Sequence, residues 1–445
     1  MKWLQDEHAA KWREEGQRYA SDVNQFVHKG LTEGWDKAGK EPAEDTRGGL
    51  AAKIYKMIRE ANEHGEITEL REQLPAATWP LSGHFQKEMQ AIRGIHFISD
   101  DALVFSTGSP WEKNVVVAVH KDVISVFDEF SLVGTSPDNQ FYALAGIQGI
   151  TIMQSMNSTL QGKVVADLSW RELNGTIQAL DPEFTVLNID SLDQELPLEQ
   201  VIPFNGGQAL LLVTSQGIFL VQQSQEKEKL WEVKLLHPDL EEYKADELEH
   251  IDIDMPHGAV SPDGRWIAYG SQGSDHLLYD TTSRQVHLFN PESSYPHYTI
   301  FTKDQHSVWY NACHFYNGVT LTVSLEDAEA GKLSYDQEYP VVNEEARVYA
   351  AAALKDGVVI GDAYGYLRLI DAEGRELWRY YAGSTISGLA VNPDETILAV
   401  GTYGGMLHFL DLHATERSDY EITTGTVREM KRIIAWKNQN EPLWW

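Results

Sequence analysis

The stretch Ser261-Pro262-Asp263-Gly264-Arg265-Trp266-Ile267-Ala268-Tyr269-Gly270 combines a tight turn with a short apolar run that follows it at once. Proline fixes φ at the first turn position, aspartate hydrogen-bonds to the turn backbone, and glycine accepts a positive φ. The run after the turn is rich in aromatic and aliphatic side chains and has the length of a β-strand. The stretch therefore predicts a turn and a strand of an antiparallel sheet.

The same pattern recurs three more times, in segments that begin at Ser136, Lys355 and Asn392. Each copy continues through a glycine-containing turn into a second strand. The copies at Ser261 and Asn392 lie 131 residues apart, which corresponds to three units. A unit of roughly 40 to 45 residues is typical of one four-stranded blade of a β-propeller. Three of the second strands end on an aspartate that we interpret as a structural turn residue: Asp280, Asp371 and Asp411.

The repeated units also resemble known propeller blades. The Ser261–Gly270 stretch, with Leu277-Leu278-Tyr279-Asp280 after it, resembles a degenerate WD-repeat-like blade, and Gly365–Trp378 resembles a blade of the quinoprotein-like propellers. The Gly-His pair and the Trp-Asp dipeptide of true WD repeats are missing from residues 92–445. The resemblance covers residues 92–445 and implies the β-propeller superfamily without a specific family.

We therefore predict an all-β fold, a β-propeller of about seven four-stranded antiparallel blades over residues 92–445. The third blade region is longer than one blade needs, so six or eight blades, or an insertion, remain open. Two segments, Thr78–Phe85 and Ile433–Trp436, are candidates for the strand that closes the ring. The expected blades span residues 92–130, 131–183, 184–250, 251–293, 294–343, 344–383 and 384–445.

Residues 1–91 have the pattern of an N-terminal α-helical segment. Apolar residues recur from Trp12 to Leu31 and again from Leu50 to Ala61 at the three- and four-residue spacing of a helix, and Gly65 is a stop signal. A short third helix is expected to end at Pro75. We expect this segment to dock on the propeller or cap it, with a separate partner-binding module as the alternative.

Composition excludes several classes of protein. The chain of 445 residues carries 67 acidic and 36 basic side chains, a net charge of -31, which argues against nucleic acid and anionic membranes as partners. A single cysteine, Cys313, excludes an internal disulfide and a cysteine-based zinc cluster. No secretory or membrane-spanning segment is evident. We expect a soluble, cytoplasmic monomer without a cofactor.

Motifs for catalysis are scarce. The chain has no Gly-x-Ser-x-Gly elbow and no phosphate-binding glycine loop. His250, Asp252 and Asp254 alternate with isoleucines, so on a strand they would share one face and could hold a divalent metal. We favour a solvated strand edge for this segment and predict no metal. The protein is thus expected not to be an enzyme, with a central-channel hydrolase or lyase, acting on a glycan or using a metal, as the rival hypothesis.

The loops between the second and third strands of the blades are the predicted binding surface. Aromatic groups beside acidic ones are typical of protein interfaces. Two acidic stretches, residues 237–254 and 326–345, indicate a partner that is basic or of mixed charge. We predict a protein-binding scaffold, and an immunity-type inhibitor of a basic toxin or nuclease is a variant of that hypothesis. The predicted contact residues are Trp111, Asp275, His276, Tyr316, Tyr364 and Tyr403, and the same loops contain Lys113, Gln148, Gln216 and Phe315.

Overall fold

The computed structural model of the protein describes residues 1–109, 112, 114–180, 198–224, 230–241 and 251–445. Within these residues the strands form seven antiparallel sheets, and each sheet is built from one contiguous segment of the chain. The first strands of successive sheets contact one another around a closed ring. The protein is a seven-bladed β-propeller preceded by a helical segment, as predicted.

The strands have the following bounds. Blades 1 to 3 contain β1 (Ile92–Ser99), β2 (Ala102–Thr107), β3 (Val116–His120) and β4 (Val123–Phe127); β5 (Phe130–Thr135), β6 (Phe141–Gly146), β7 (Gly149–Gln154) and β8 (Lys163–Ser169); β9 (Leu198–Phe204), β10 (Ala209–Thr214), β11 (Gly217–Gln223) and β12 (Trp231–His237). Blades 4 and 5 contain β13 (His257–Val260), β14 (Trp266–Gly270), β15 (His276–Asp280) and β16 (Val286–Phe289); β17 (Tyr295–Phe301), β18 (Ser307–His314), β19 (Asn317–Ser324) and β20 (Val341–Asn343). Blades 6 and 7 contain β21 (Val348–Leu354), β22 (Gly357–Asp362), β23 (Tyr366–Ile370) and β24 (Glu376–Tyr381); β25 (Ile386–Val391), β26 (Ile397–Thr402), β27 (Met406–Asp411), β28 (Arg428–Ile434) and β29 (Leu443–Trp444).

The middle strands of the blades read as continuous apolar runs because neighbouring blades cover both of their faces. β10 and β14, for example, are buried along their whole length. Blades approach closely at glycines: a Cβ atom on Gly134 of blade 2 would lie 1.7 Å from the carbonyl oxygen of Val201 in blade 3. Only a residue without a side chain fits between these two backbones.

Neither segment proposed for ring closure has that role. Thr78–Ser82 is a short helix, and Ile433 and Ile434 belong to β28, the fourth strand of blade 7. The ring closes by packing of β25 against β1, without a shared strand. Packing between the first strands is enough to close the ring, because each blade contains all of its own strands and shares none with its neighbour.

The helical segment packs on the last blade. It contains α1 (Asp6–Glu33), α2 (Trp35–Ala38), α3 (Ala51–His64), α4 (Ile67–Gln73) and α5 (Thr78–Ser82). Gly65 ends α3 in the left-handed conformation, as predicted. Trp12 and Met57 share a hydrophobic core with Trp436 and Trp445 of the C-terminal segment. The indole N–H of Trp445 donates to the carbonyl oxygen of Leu74 at 2.7 Å, which joins the two ends of the chain.

A helix that the sequence analysis did not predict follows blade 2. In α6 (Trp170–Gln178) the hydroxyl of Ser169 accepts a hydrogen bond from the backbone N–H of Glu172 and caps the helix. Trp170, Leu173 and Ile177 have helical spacing and pack into the core between blades 2 and 3. Three apolar residues within one short segment do not distinguish a helix from a strand in the sequence. A further short helix, α7 (Leu325–Glu329), lies after β19.

None of the helices among the described residues is long and apolar enough to cross a membrane.

Candidate functional site

Every connection between the second and third strands of a blade opens on the same side of the ring, because the strands of each blade alternate in direction. We call this side the upper face. The predicted contact residues Asp275, Tyr316, Tyr364 and Tyr403 lie on this face, whereas His276 is buried. Of the predicted set, Trp111, Lys113 and the metal candidate His250 lie outside the described residues.

An aromatic patch occupies the upper face of blades 5 and 6. It consists of Tyr295, His314, Phe315, Tyr316 and Tyr364. Phe315, Tyr316 and Tyr364 are 72%, 60% and 53% exposed, which is unusual for side chains of this size. The rings of Tyr316 and Tyr364 lie 5.4 Å apart and join the two blades. The rings of His314 and Phe315 are 4.4 Å apart, edge to face.

The backbone beneath the patch is firmly held. The guanidinium of Arg347 donates to the carbonyl oxygen of Phe315 at 3.0 Å, and Phe315 itself has a left-handed φ of 57°. The carboxylate of Asp362 accepts hydrogen bonds from the backbone N–H groups of Tyr364 and Tyr366 at 2.9 and 2.8 Å. Asp362 is buried and also pairs with an arginine. Rings on such a fixed backbone lose little conformational freedom when a partner binds.

Tyr403 lies nearer the centre of the ring than the patch. It is half-buried, and burial raises the pKa of its phenol to about 12. Its ring lies 6.0 Å from that of Tyr349, edge to face. Tyr403 therefore extends the aromatic surface toward the channel mouth but presents less area than Tyr364.

Three carboxylates form an acidic rim next to the patch: Asp252, Asp254 and Asp275. The hydroxyl of Tyr335 donates to the carboxylate of Asp275 at 3.1 Å, which connects the acidic stretch 326–345 with the upper face of blade 4. Asp252 and Asp254 are exposed, whereas Ile251 and Ile253 between them are buried. This alternation agrees with the sequence analysis. Residues 251–256 form no strand, however, because they connect blades 3 and 4 across the upper face, where the backbone N–H of residue 253 donates to the carbonyl oxygen of Ser215.

His276 corrects one part of the predicted surface. It is the first residue of β15 and is completely buried, with its ring 4.8 Å from that of Tyr310. Burial holds the pKa of its imidazole well below the usual value. The side chain points between blades 4 and 5, so it is a packing residue and not an exposed contact. The neighbouring Asp275 remains partly exposed.

An ion pair connects β1 and β9, with the side chains of Arg93 and Glu199 11% and 28% exposed. Arg93 of β1 donates to the carboxylate of Glu199 and to the carbonyl oxygen of Leu198, both at 3.3 Å, which connects blades 1 and 3. Burial raises the pKa of Glu199 and lowers that of Arg93. Within the described part of the chain, no group of three or more histidine, cysteine or acidic side chains is placed to hold a metal ion.

Sequence reasoning missed the residues that support the patch. Arg347 precedes β21 and touches the patch only through the fold. Tyr295 begins β17, and its ring stacks on that of His314 at 6.3 Å. The only signal for either residue was its position next to the start of a blade.

No family model and no curated protein matches the chain. One similar solved structure is the β-propeller domain of Cps50 (Swd1) from Myceliophteria thermophila, with 13% identity over 70% of this chain and 92% of that chain and a TM-score of 0.46. Another is Sqt1 from Saccharomyces cerevisiae, with 10% identity over 81% of this chain and 96% of that chain and a TM-score of 0.47.

Proposed function

We propose that the protein is a non-enzymatic binding scaffold that uses its upper face to hold another protein of basic or mixed charge. The observation that carries the proposal is the aromatic patch, in which three large rings are more than half exposed on a backbone fixed by Arg347 and Asp362. Aromatic side chains on rigid backbone are the usual hot spots of protein interfaces. An exposed apolar cluster with acidic neighbours is typical of a binding surface.

Charge supports a basic partner. Residues 92–445 account for a net charge of -28, and the acidic rim places part of it beside the patch. Asp275 accepts a hydrogen bond from Tyr335, and the exposed Asp252 and Asp254 lie along the path between two blades. Such charges steer a basic partner toward the face and raise the association rate more than the affinity.

The test is capture of partners from native lysate by the whole protein, compared with the Tyr364→Ala variant. Because loss of a central aromatic contact costs about 2 kcal/mol or more, we expect binding of the main captured partner to weaken by about 30-fold. Leu377→Ala is the matched control, since Leu377 lies in the same blade on the outer strand and is also half exposed. If the two variants capture the same proteins equally well, the patch is not the binding surface.

The salt dependence of capture tests the acidic rim separately. Between about 0.1 M and 1 M salt the screening length falls from about 10 to 3 Å, so steering by exposed carboxylates is lost. We expect capture to decrease at high salt and the Asp254→Asn variant to be less sensitive to salt. If the captured partner is a nuclease or toxin that one equivalent of the propeller silences, the inhibitor variant of the proposal is correct.

A further inference from the structure

A large cleft separates the helical segment from the outer edge of blade 7. Its volume is about 1110 Å³. Helix α4 and residues 75–80 form one wall, and β28, residues 418–422 and residues 380–383 form the other. This is larger than most small-molecule sites, which have about 300 to 1,000 Å³.

The centre of the cleft is held open by a buried ionic network. The carboxylate of Glu429 accepts hydrogen bonds from the guanidinium groups of Arg432 at 2.6 Å and of Arg71 at 3.1 Å, and it contacts the imidazole of His408 at 3.0 Å. Arg71 spans the gap from α4 to β28 and also donates to the carbonyl oxygen of Trp445 at 2.9 Å. These charges satisfy one another, so they fix the walls without supplying a free binding group.

Glu421 differs from this network, because one of its two carboxylate oxygens has no hydrogen-bond partner in the part of the chain that the structure describes. Its Oε1 accepts the backbone N–H of Glu429 at 2.7 Å, and its own carbonyl oxygen accepts a hydrogen bond from the amide of Asn24 at 2.8 Å. These bonds fix the side chain at the wall of the cleft. Its Oε2 is buried and has no hydrogen-bond partner among the described residues. A buried acceptor without a donor is costly and indicates a missing partner.

Three tyrosines line the same cleft as Glu421: Tyr19 of α1, Tyr381 of β24 and Tyr420. Tyr420 is the chain neighbour of Glu421, and Tyr19 lines the cleft from the helical segment. The ring of Tyr381, in contrast, packs on that of Tyr366 at 4.9 Å, on the opposite face of β24 from Tyr380. Phenol faces attract cations, and a carboxylate among them adds a charged acceptor. The combination matches the chemistry of a protonated amine or a guanidinium.

The charges around Glu421 agree with a missing cation. Burial is the main reason that the pKa of its carboxyl is raised to about 7; the hydrogen bond from the backbone N–H of Glu429 lowers this pKa, the charge of Glu429 raises it, and the charges of Arg71 and Arg428 lower it. The phenol of Tyr380, which faces Glu421 from blade 6, has its pKa raised as well, first by burial. A bound cation would favour the ionised carboxylate and displace its proton.

We infer that this cleft binds a ligand with a protonated amine or guanidinium, held by the carboxylate of Glu421 and the rings of Tyr19 and Tyr420. The volume favours a basic segment of a protein over a small polyamine. This second site is independent of the upper face, because the two share no described residue.

Isothermal titration calorimetry with a synthetic octapeptide of alternating lysine and glycine tests the inference, with spermidine as a second probe. Titrations at pH 7 in two buffers of different ionisation enthalpy measure proton exchange. Since the pKa of Glu421 is about 7, binding should release about half a proton. In Glu421→Gln the affinity should fall at least tenfold, the cost of about one charged hydrogen bond, and the proton release should vanish.

The controls separate this site from general attraction to an acidic surface. Glu416→Gln removes an exposed carboxylate from the same connection and should bind like the unmodified protein. Tyr364→Ala should also leave the titration unchanged. Binding of the peptide alone assigns the site to a protein segment, and equal binding of spermidine with the same proton release assigns it to a small amine. Absence of binding, or Glu421→Gln behaving like Glu416→Gln in affinity and proton release, overturns the inference.

Discussion

Replacement of Glu429 by glutamine is the most informative perturbation of stability in this molecule. Glu429 is 2% exposed as a side chain and neutralises Arg432, which is 5% exposed, together with Arg71 on α4. Glutamine keeps the shape but removes the negative charge, so two guanidinium groups face each other in a buried site. Breaking a buried pair in this way costs about 3 to 5 kcal/mol, because the remaining charge is left uncompensated.

The size of the effect on the melting temperature follows from the length of the chain. An unfolding entropy of about 2.1 cal/mol/K per residue gives about 0.9 kcal/mol/K for 445 residues. We therefore expect Glu429→Gln to lower Tm by about 3 to 5 °C, measured by scanning calorimetry at pH 7. The helical segment should loosen first, since Arg71 connects α4 with Glu429. Hydrogen exchange should accordingly rise in α4 before the inner strands respond.

The second substitution Arg71→Met tests the reason for the loss. In the Glu429→Gln background it removes one of the two unpaired cations, so its cost should be smaller by about 1 to 3 kcal/mol than in the unmodified protein. Glu416→Gln serves as the surface control and should leave Tm unchanged. A Tm of Glu429→Gln equal to that of the control, or strict additivity with Arg71→Met, would refute the reasoning.

Two further predictions concern the propeller core. Burial lowers the pKa of His257 to about 4, so the folded state excludes a proton that the unfolded state takes up near pH 6.5, and stability falls as pH decreases from 6.5 to 4 by as much as about 3 kcal/mol. Tm against pH should be flatter in this range for His257→Gln than for the exposed control His413→Gln, and equal slopes would contradict the assignment. Gly134→Ala should lower Tm by several degrees because its Cβ meets the carbonyl oxygen of Val201 at 1.7 Å. Gly175→Ala, in an open position on α6, should instead raise stability by up to about 1 kcal/mol, and similar Tm values for the two alanine variants would show that the blades separate freely.

The sequence predicts the blades because each one is a local repeat. The turn after Ser261 and the turn after Asn392 hold their own backbone through short hydrogen bonds, as in the contacts from Asn392 to the N–H groups of residues 396 and 397 at 2.8 Å. A period of about 44 residues then predicts about seven blades without reference to any long-range contact. Closure of the ring depends on contacts between residues about 300 positions apart, such as Ser387 with Ile92. No local pattern encodes such a contact.

The upper face was predictable in outline only. The connection between second and third strands identifies Tyr316 and Tyr364 correctly as loop residues, and both are exposed. The same rule fails at His276 because strands in the middle of a blade are buried on both sides, so a polar residue can begin a strand and still be enclosed. Burial keeps the imidazole of His276 neutral by lowering its pKa, and no local sequence pattern distinguishes such a histidine from an exposed one.

The cleft was not predictable, since its groups come from distant parts of the chain. Arg71 and Glu429 are 358 positions apart, and Asn24 and Glu421 are 397 apart. The apolar stripes of the helices predicted that the N-terminal segment docks on the propeller. They did not identify the blade that it contacts. Only the folded chain brings α4 and residues 418–422 together around one cleft beside the carboxylate of Glu421.

The arrangement of arginines sharpens the expectation of a basic partner. Arg47, Arg368 and Arg432 are each no more than 5% exposed and pair with their own carboxylates. Burying an arginine beside a carboxylate leaves the net charge of the protein unchanged but withdraws a cation from the surface. Fewer surface cations therefore remain to compete with a basic partner for the exposed carboxylates. Because exposed charges are screened and partly buried ones much less, binding at the acidic rim should weaken with salt more steeply than binding at Glu421. Salt dependence thus separates the two proposed sites even if one partner occupies both.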